Sequence, residues 1–272
     1  MSNNDSLVKV YNQNFSTLHF LYNITTDWHR HPCIQLTISL HNVFLELETS
    51  DTKQNVFGFI IQANIRHKLN ASNICCINLL IEPEEPLYHL LYHFTEANPV
   101  YFLSSSEALK LAYYLIKSIT LNQNFDIGHI CKLLCEDSPN CECDTDNRIN
   151  KAVSIISSLP VKQISSREVA DQIFLSESRF LHLFRAKLGV NFRGYLLWKK
   201  LQGVMNTIDS PTTLTTLASN MGFSDSAHLS RTCLSSFGLR PSDLKRALII
   251  DNKYEMCGKH YCLYSVFQAL HT

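Results

Sequence analysis

Residues 169–178 (VADQIFLSES) and residues 217–226 (LASNMGFSDS) are two copies of one pattern, and they decide the fold. Overlaid at an offset of 48 residues, the copies match at an alanine, at a large apolar position and at two serines. By Gly189 and Gly238 the offset is 49 residues, which we interpret as a one-residue insertion within the second helix of the later copy. Such a repeat indicates that the chain builds one small supersecondary unit twice.

The first copy carries the signals of two helices joined by a tight turn. Ser165 and Glu168 are spaced as a capping box, which predicts the start of a short helix. A turn at 173–175 follows, and Ser176 then caps a longer helix. Gly189 ends that helix, as a glycine in the left-handed conformation does. A short helix, a turn and a longer capped helix make a helix-turn-helix motif.

The later copy repeats these signals. Thr212 or Thr213 starts its short helix, Gly222 lies in the turn, Ser224 caps the longer helix and Gly238 ends it. Apolar residues at spacings of four, three and four predict one buried face of a helix that connects the copies: Leu197, Leu201, Val204 and Ile208. Pro241 predicts the beginning of a last short helix.

The segment from Arg148 to Arg246 resembles the DNA-binding domain of the AraC/XylS family of bacterial transcription regulators. The resemblance rests on an ordered set of residues: Val169, Ala170, Ser176, Phe184, Arg185, Gly189, Tyr195, Leu196, Lys200, Leu201, Leu217, Ala218, Gly222, Phe223, Leu229, Arg231, Gly238 and Pro241. It implies that the second helix of each copy enters one of two adjacent segments of the DNA major groove.

The residues that read DNA follow from that resemblance and from the exposed positions near the start of each second helix. Arg can bond guanine in a bidentate manner, Ser and His can bond base edges, and Leu or Ala can touch a thymine methyl group. The predicted DNA-binding residues are Ser178, Arg179, Leu181, His182, Arg185, Ser226, Ala227, Ser230 and Arg231. Arg193, Lys199 and Lys200 are assigned to phosphate contacts or to solvent.

The later copy departs from the family pattern at two positions. The family has an aromatic residue and then a lysine where this chain has Cys233 and Leu234. We expect Cys233 to pack the second helix less firmly and Leu234 to remove a phosphate contact.

Charge is divided unevenly along the chain. Up to Cys143 there are 8 Lys and Arg against 14 Asp and Glu, a net charge of −6, and from Asp144 there are 16 against 10, a net charge of +6. A basic half favours a polyanionic partner there. There is no basic and apolar leader at the polar N-terminus, and no apolar run is long enough to span a bilayer, so we expect a cytoplasmic protein with no membrane partner.

The first hundred residues have the period of two that is typical of half-buried strands. Apolar residues alternate with polar ones over 34–40 and over 43–48, and His41-Asn42 is suited to a tight turn between them. Further apolar runs at 56–62 and 75–81 predict more short strands. These patterns predict a small β-barrel, and the regulator resemblance implies a cupin-like one.

From Ser105 the period becomes helical, with Leu109, Ala112, Ile116 and Ile119 on one face and then Ile127, Ile130 and Leu134. We predict an α+β chain: a cupin-like sensor or dimerisation domain at 1–137, a linker at 138–147, a double helix-turn-helix DNA-binding domain at 148–246 and a tail at 247–272.

Three histidines in the first half could form a site. His29 and His31 precede the first alternating strand, and His67 follows a later one. A His-x-His pair with a distant His can bind metal, but Gln35 occupies the place where a cupin enzyme has a Glu ligand. We therefore assign His29, His31 and His67 to ligand binding or to a structural role, and predict no metal and no cofactor. A metal-dependent cupin enzyme with a degenerate helical domain remains the alternative.

Four cysteines at Cys131, Cys135, Cys141 and Cys143 lack the spacing of a zinc site, and we expect inert thiols. A redox switch beside the linker is the functional alternative. No triad, phosphate loop or carboxylate pair supports catalysis, so we predict that the chain is not an enzyme.

These observations predict a sequence-specific transcription regulator, written here as an activator, although the residues do not distinguish activation from repression. Expected partners are double-stranded DNA, RNA polymerase, a small-molecule effector and a second copy of the chain in a homodimer. A first domain that only binds another protein is a further hypothesis.

Overall fold

The computed structural model describes residues 7–13, 15–40, 42–85, 88–134, 146–160, 164–208 and 211–245. The fold is α+β, as the sequence predicts: an antiparallel sheet with three helices forms the N-terminal region, and helices form the C-terminal domain. The predicted tail and most of the predicted linker lie outside the described residues, as do Cys135, Cys141 and Cys143. The boundaries assigned to the domains remain predictions.

Eight strands form the sheet, in the order β1-β2-β7-β3-β6-β8, with β4 paired to β5 and β7. The central strand is β7, whose 15 residues pair with β2, β3 and β4. The strands are β1 (Leu7–Gln13), β2 (Ser16–Thr25), β3 (Ile34–Ser39), β4 (Leu45–Thr49), β5 (Lys53–Val56), β6 (Gly58–Ile61), β7 (His67–Ile81) and β8 (Val100–Phe102).

Strand β3 differs from its predicted half-buried state, because all six of its residues are buried. Ile34, Leu36 and Ile38 enter the main apolar core, as expected. The polar face is also covered: Gln35 Nε2 donates to Thr37 Oγ1 at 2.8 Å, so the buried polar groups bond to one another.

The turn after β3 is only partly as predicted. Asn42 has the positive φ of 54° that its residue type tolerates, while His41 lies outside the described residues. However, β3 and β4 do not pair with each other in the described chain, because each pairs with a different part of β7.

Three helices cover the sheet: α1 (Tyr88–His93), α2 (Ser105–Thr120) and α3 (Ile127–Leu134). Helix α2 begins at a capping box formed by Ser104 and Glu107. Leu109 was expected on its buried face but is 38% exposed. The buried face of α2 lies to one side of Leu109 and consists of Ala108, Leu111, Ala112, Leu115 and Ile116.

The described residues of the C-terminal domain contain the helices α4 (Asn147–Ser158), α5 (Ser166–Gln172), α6 (Glu177–Leu188), α7 (Phe192–Met205), α8 (Leu214–Asn220) and α9 (Ser226–Phe237). The first copy is α5 and α6, the second copy is α8 and α9, and α7 connects them. A last helical turn spans 241–245, where Pro241 predicts one. No helix among the described residues is long and apolar enough to cross a bilayer.

The caps of the first copy largely match their sequence signals. The Ser176 hydroxyl accepts a hydrogen bond from the Arg179 amide, and Gly189 ends α6 with a φ of 67°. The predicted capping box at Ser165 is absent, since its side chain makes no cap bond to the described helix. Ser166 instead donates to the Glu177 carboxylate, which ties α5 to α6.

The prediction that the one-residue insertion lies inside the second helix is wrong. The insertion lies in the turn before that helix. Helices α6 and α9 both have 12 residues and both end at a glycine, at an offset of 49 throughout. The cap of α9 is therefore Asp225, which accepts from the His228 amide at 2.6 Å, and not Ser224. The extra residue lengthens the turn because the helix itself must keep its apolar face in register.

Candidate nucleic-acid interface and histidine cluster

Helix α6 is held by one apolar face, which leaves the opposite face uncovered. Phe180 and Phe184 are fully buried, and Leu183 and Leu188 are nearly so. The predicted DNA-contacting side chains of this helix are all exposed: Ser178, Arg179, Leu181, His182 and Arg185. The apolar stripe therefore presents these residues together on one surface, as a recognition helix requires.

Helix α9 presents the corresponding surface of the second copy. Leu229, Thr232 and Cys233 are buried, while Ala227 and Arg231 are exposed. Ser226 and Ser230 are half-buried, and the Ser230 hydroxyl donates to the Ser226 carbonyl at 2.8 Å. The helix thus uses the Ser230 proton, which leaves its oxygen lone pairs to accept a bond from a base.

The corrected register places the two surfaces in direct correspondence. At an offset of 49 residues, His182 lies at the position of Arg231 and Ser178 at that of Ala227. The sequence overlay at 48 residues concealed this match. Because each helix carries a nitrogen donor at the same place, His182 and Arg231 are the central pair of candidate base-reading residues.

One negative charge lies beside the second surface. The backbone N–H of His228 bonds the Asp225 carboxylate, and with the Ser224 hydroxyl and the nearby Arg231 it keeps the pKa of Asp225 below its ordinary value. Asp225 is therefore ionised as the N-cap of α9, where the helix dipole stabilises it.

Two of the three cations assigned to phosphate or solvent make contacts inside the protein. Lys199 Nζ lies 2.5 Å from Glu84 Oε1, and its side chain is only 18% exposed. Lys200 Nζ donates to the Gly222 carbonyl at 2.8 Å, in the turn of the second copy. Arg193 is exposed, so its assignment stays a prediction.

The turn of the first copy holds a residue that the motif analysis passed over. Phe174 has a φ of 58° and is 89% exposed. The Lys151 ammonium lies 5.5 Å from the centre of its ring. The sequence did indicate this conformation, because Phe174 occupies the position of Gly222 in the other copy and glycine favours a positive φ.

Comparison with known proteins agrees with this geometry. Residues 169–247 match a family model described as a helix-turn-helix domain. The chain is 32% identical over 107 residues to the arabinose operon regulatory protein of Escherichia coli (strain K12). The chain therefore contains a helix-turn-helix domain at residues 169–247. The alignment covers 37% of the chain and 35% of that relative, so the chain spans about a third of the relative's length.

The fold of nearly the whole chain also has solved counterparts. The structure of ToxT from Vibrio cholerae O395 superposes with a TM-score of 0.53 over 90% of this chain and 98% of ToxT, at 11% identity. Unsaturated fatty acid bound wild-type ToxT from Vibrio cholerae strain SCE256 superposes with a TM-score of 0.51, over 89% of this chain and 95% of that one, at 12% identity. The combination of a sheet and a helix-turn-helix domain therefore has a precedent as a fold.

The C-terminal domain packs against the N-terminal region through α7. The Glu82 carboxylate accepts from Trp198 Nε1 at 2.7 Å and from Gln202 Nε2 at 2.6 Å. Its neighbour Glu84 accepts from the Tyr195 hydroxyl at 2.7 Å and pairs with Lys199. Burial, and then the charge of Glu84, raise the pKa of Glu82 to about 8.

A second contact between the regions lies at the end of α9. The Asp27 amide donates to the Gly238 carbonyl at 2.8 Å, and the Arg30 amide donates to the Ser235 carbonyl at 3.0 Å. We call these contacts of 26–30 and 82–84 with α7 and the end of α9 the domain seam.

The three predicted ligand-binding histidines converge at the domain seam. His29, His31 and His67 are 5%, 3% and 1% exposed. One ring nitrogen from each lies within 4.8 Å of the others. Backbone bonds in both directions between His29 and His67, each of 3.0 Å, hold the two chain segments together. The sequence motif thus identified three residues that the fold does bring together.

The protonation pattern of these rings follows from their hydrogen bonds. Each Nδ1 faces a backbone carbonyl: that of Asp27 for His29 at 2.8 Å, that of Cys33 for His31 at 3.1 Å and that of Ile65 for His67 at 2.9 Å. A carbonyl oxygen only accepts, so each of these bonds needs the ring proton on Nδ1. Burial lowers the pKa of all three imidazoles, that of His29 to about 3, so each ring is neutral and has one N–H and one lone pair.

Three thiols in the described part of the chain are in surroundings that keep them protonated. Burial raises the pKa of Cys76, Cys131 and Cys233 to about 12 in each case. A thiol that does not ionise is a poor nucleophile, which supports the inert role expected for Cys131.

Proposed function

We propose that this protein is a sequence-specific DNA-binding transcription regulator. The observation that carries the proposal is the pair of 12-residue helices α6 and α9, each fixed by a buried stripe and each exposing an equivalent set of donors and small side chains. A rigid helix with an uncovered polar face is what entry into the major groove needs.

The two surfaces are expected to read successive segments of one duplex. His182 and Arg231 contact base edges, and the serines and Leu181 select among bases around them. The half-sites then lie about 10 base pairs apart, one helical turn of DNA, because both helices face the same side of it. Exposed cations such as Arg179 and Arg185 add phosphate contacts that carry no sequence information.

The N-terminal region is proposed to control this activity. The relative from Escherichia coli is named for the arabinose operon, and a ToxT structure is described as bound to an unsaturated fatty acid. By analogy, a small molecule or a second copy of the chain acts on this region, and the output includes contact with RNA polymerase. An effector changes DNA binding only if it prefers one arrangement of the domain seam over another.

Genome-wide crosslinking and sequencing in the native cell tests the proposal. The wild type is compared with the double variant His182→Ala plus Arg231→Ala, and a duplex library of random sequence is selected in parallel with purified protein. We expect discrete sites with one shared motif and a loss of affinity of about tenfold to a hundredfold for each removed base contact.

Lys110→Ala plus Lys132→Ala is the matched control, because both lysines are exposed on α2 and α3, away from the recognition helices. This control should bind as the wild type does. The proposal is overturned if the wild type enriches no motif from the genome or the library, or if the double variant recovers the same sites with the same affinity.

A further inference from the structure

The histidine cluster contains more hydrogen-bond acceptors than donors. Gln35 Oε1 lies 2.8 Å from His31 Nε2 and 3.1 Å from His67 Nε2. Each of these neutral rings has one N–H but faces two oxygens, Gln35 Oε1 at Nε2 and a backbone carbonyl at Nδ1. One contact of each ring therefore places a lone pair against an oxygen in a buried place, an arrangement that is unfavourable without a positively charged or donating group there.

The orientation of Gln35 is fixed by its other bonds. Its Nε2 donates to Thr37 Oγ1 at 2.8 Å, and Thr37 Oγ1 donates to Asn78 Oδ1 at 3.0 Å. This chain of donors runs away from the histidines and leaves the amide oxygen directed at them. Gln35 thus belongs to the cluster as an oxygen acceptor.

We propose that His29, His31 and His67 bind one divalent first-row transition metal ion, with the Gln35 oxygen or a water as a fourth ligand. Neutral imidazole nitrogens are preferred ligands of Zn²⁺, Co²⁺, Ni²⁺ and Cu²⁺. Each Nδ1 already lies within hydrogen-bond distance of a backbone carbonyl, which is the arrangement that orients metal-binding histidines. The sequence favoured a ligand-binding or structural role for these histidines, and the convergence of the three rings is what changes that assignment.

The separation of the ligand atoms fits a site that closes on the ion. Zn–N bonds of about 2.0–2.1 Å place tetrahedral ligand nitrogens about 3.3 Å apart. The three ring nitrogens now lie within 4.8 Å of one another, so small side-chain rotations suffice. Within the described part of the chain, these histidines are the one cluster of His, Cys, Asp or Glu with that proximity.

The site lies at the domain seam. The His31 ring centre is 6.0 Å from that of Trp198 on α7, and a methyl group added at Gly238 would lie 2.7 Å from His29 Nδ1. A metal ion would therefore tie the 27–31 segment to the start of β7 directly beneath the end of α9. Binding is nevertheless a property of the histidines and can be measured without DNA, so this proposal stands or fails separately from the proposed function.

Titration of the full-length, chelator-treated protein with Zn²⁺ and with Co²⁺ tests the site. We expect one ion per chain, a visible Co²⁺ spectrum of the intense tetrahedral type, and X-ray absorption of the Zn²⁺ form showing imidazole nitrogen neighbours and no sulfur. His31→Gln and His67→Gln should each weaken binding by at least about tenfold. His19→Gln is the matched control, since His19 is also a buried histidine of the N-terminal region but lies outside the cluster.

Circular dichroism of every variant separates loss of the site from loss of the fold. The Co²⁺ spectrum and the X-ray absorption of the wild type test the site without any substitution. The proposal is overturned if the wild type shows no saturable binding, which would mean that Gln35 turns its NH₂ group toward the histidines and satisfies them. It is equally overturned if His31→Gln and His67→Gln bind Zn²⁺ as the wild type does, or if sulfur appears among the neighbours.

Discussion

The two helix-turn-helix copies have the same backbone plan but differ in what completes their cores. The fully buried core of the first copy consists of residues 149–195, all from the C-terminal domain. Four of its rings, Phe180, Phe184, Phe192 and Tyr195, pack edge to face at centroid distances of 5.2–5.5 Å. Such pairs stabilise beyond the area that they bury, so this core is closed by its own side chains.

The second copy has smaller residues at the same places. In the corrected register Cys233 replaces Phe184 and Thr232 replaces Leu183. Its core is completed from outside, by Cys33 and Leu80 of the N-terminal region. The less firm packing expected from Cys233 is thus compensated at the domain seam.

The closing glycines show the same difference. Gly189 and Gly238 have nearly equal φ values, 67° and 68°. A Cβ at Gly189 would meet no described atom within 4 Å, whereas one at Gly238 would collide with the Asp27 carbonyl and with Thr26. The N-terminal region therefore touches the first copy at its edge, through Phe15 and the bond from Tyr195 to Glu84, but contributes buried core residues only to the second copy. The comparison indicates that the second copy depends more on that region.

Replacing each of these glycines by alanine should give the largest difference in stability between the two copies. Gly189→Ala costs only the strain of a left-handed alanine, about 1–2 kcal/mol of unfolding free energy. Gly238→Ala adds a steric collision across the domain seam, for a total of about 2–4 kcal/mol. Urea denaturation of both variants, with limited proteolysis to detect separated regions, measures the difference.

Gly189→Ala is itself the control here, since the two substitutions share the same backbone conformation. Equal losses of stability for the two variants would show that Gly238 is not held against the N-terminal region in solution.

A smaller effect on stability is expected from Glu82, which joins α7 to the N-terminal region. Its pKa is raised by burial and by Glu84 to about 8, while Lys199 and the Trp198 bond oppose the rise. A group with a raised native pKa binds its proton more tightly when folded, so its stabilising contribution is full below about pH 4.5 and is lost as the pH rises through 8.

Glu82→Gln keeps an oxygen acceptor for Trp198 but cannot ionise. Thermal unfolding between pH 4.5 and pH 9 should show a midpoint that falls by several degrees more in the wild type than in the variant, with similar midpoints near pH 4.5. Glu85→Gln, at a neighbouring position of the same loop, serves as the control. Parallel profiles for the wild type and Glu82→Gln would contradict the role assigned to Glu82.

How much of this could be predicted from sequence depends on whether the signal is local. The repeat, the Ser176 cap and the glycine ends are local backbone requirements, and each was found where the sequence predicts it. The Asp225 cap was missed because serine and aspartate cap helices about equally well, so an overlay by residue type chose the wrong register. The candidate base-reading residues stay a prediction, and the sequence overlay did not show how those of the two copies correspond.

The domain seam could not be predicted, because its partners are distant in sequence. Glu82 and Trp198 are 116 residues apart, and nothing beside either residue indicates the other. The buried polar face of β3 was misjudged for the same reason, since alternation predicts exposure unless the covering groups are known. The histidines were recognised as a set, but the role of Gln35 required the orientation of its amide.

Substitutions at the turn residues Phe174 and Gly222 should change stability least, and they test whether the two turns carry the same backbone strain. Phe174 and Gly222 have φ values of 58° and 77°, a region that costs a residue with a Cβ about 1–2 kcal/mol. Phe174→Gly should relieve this strain, but it also gives the unfolded chain more freedom and removes the contact with Lys151. We expect a net gain in unfolding free energy of about 0.5 kcal/mol.

Phe174→Ala separates these contributions, because it removes the ring and keeps the Cβ. It should be no more stable than the wild type, and Gly222→Ala in the other copy should lose about 1 kcal/mol. Urea denaturation of the three variants gives the values. If Phe174→Ala were as stable as Phe174→Gly, the left-handed turn would carry no strain, and an exposed aromatic ring would be kept there by its contact with Lys151 or by contact with the DNA backbone.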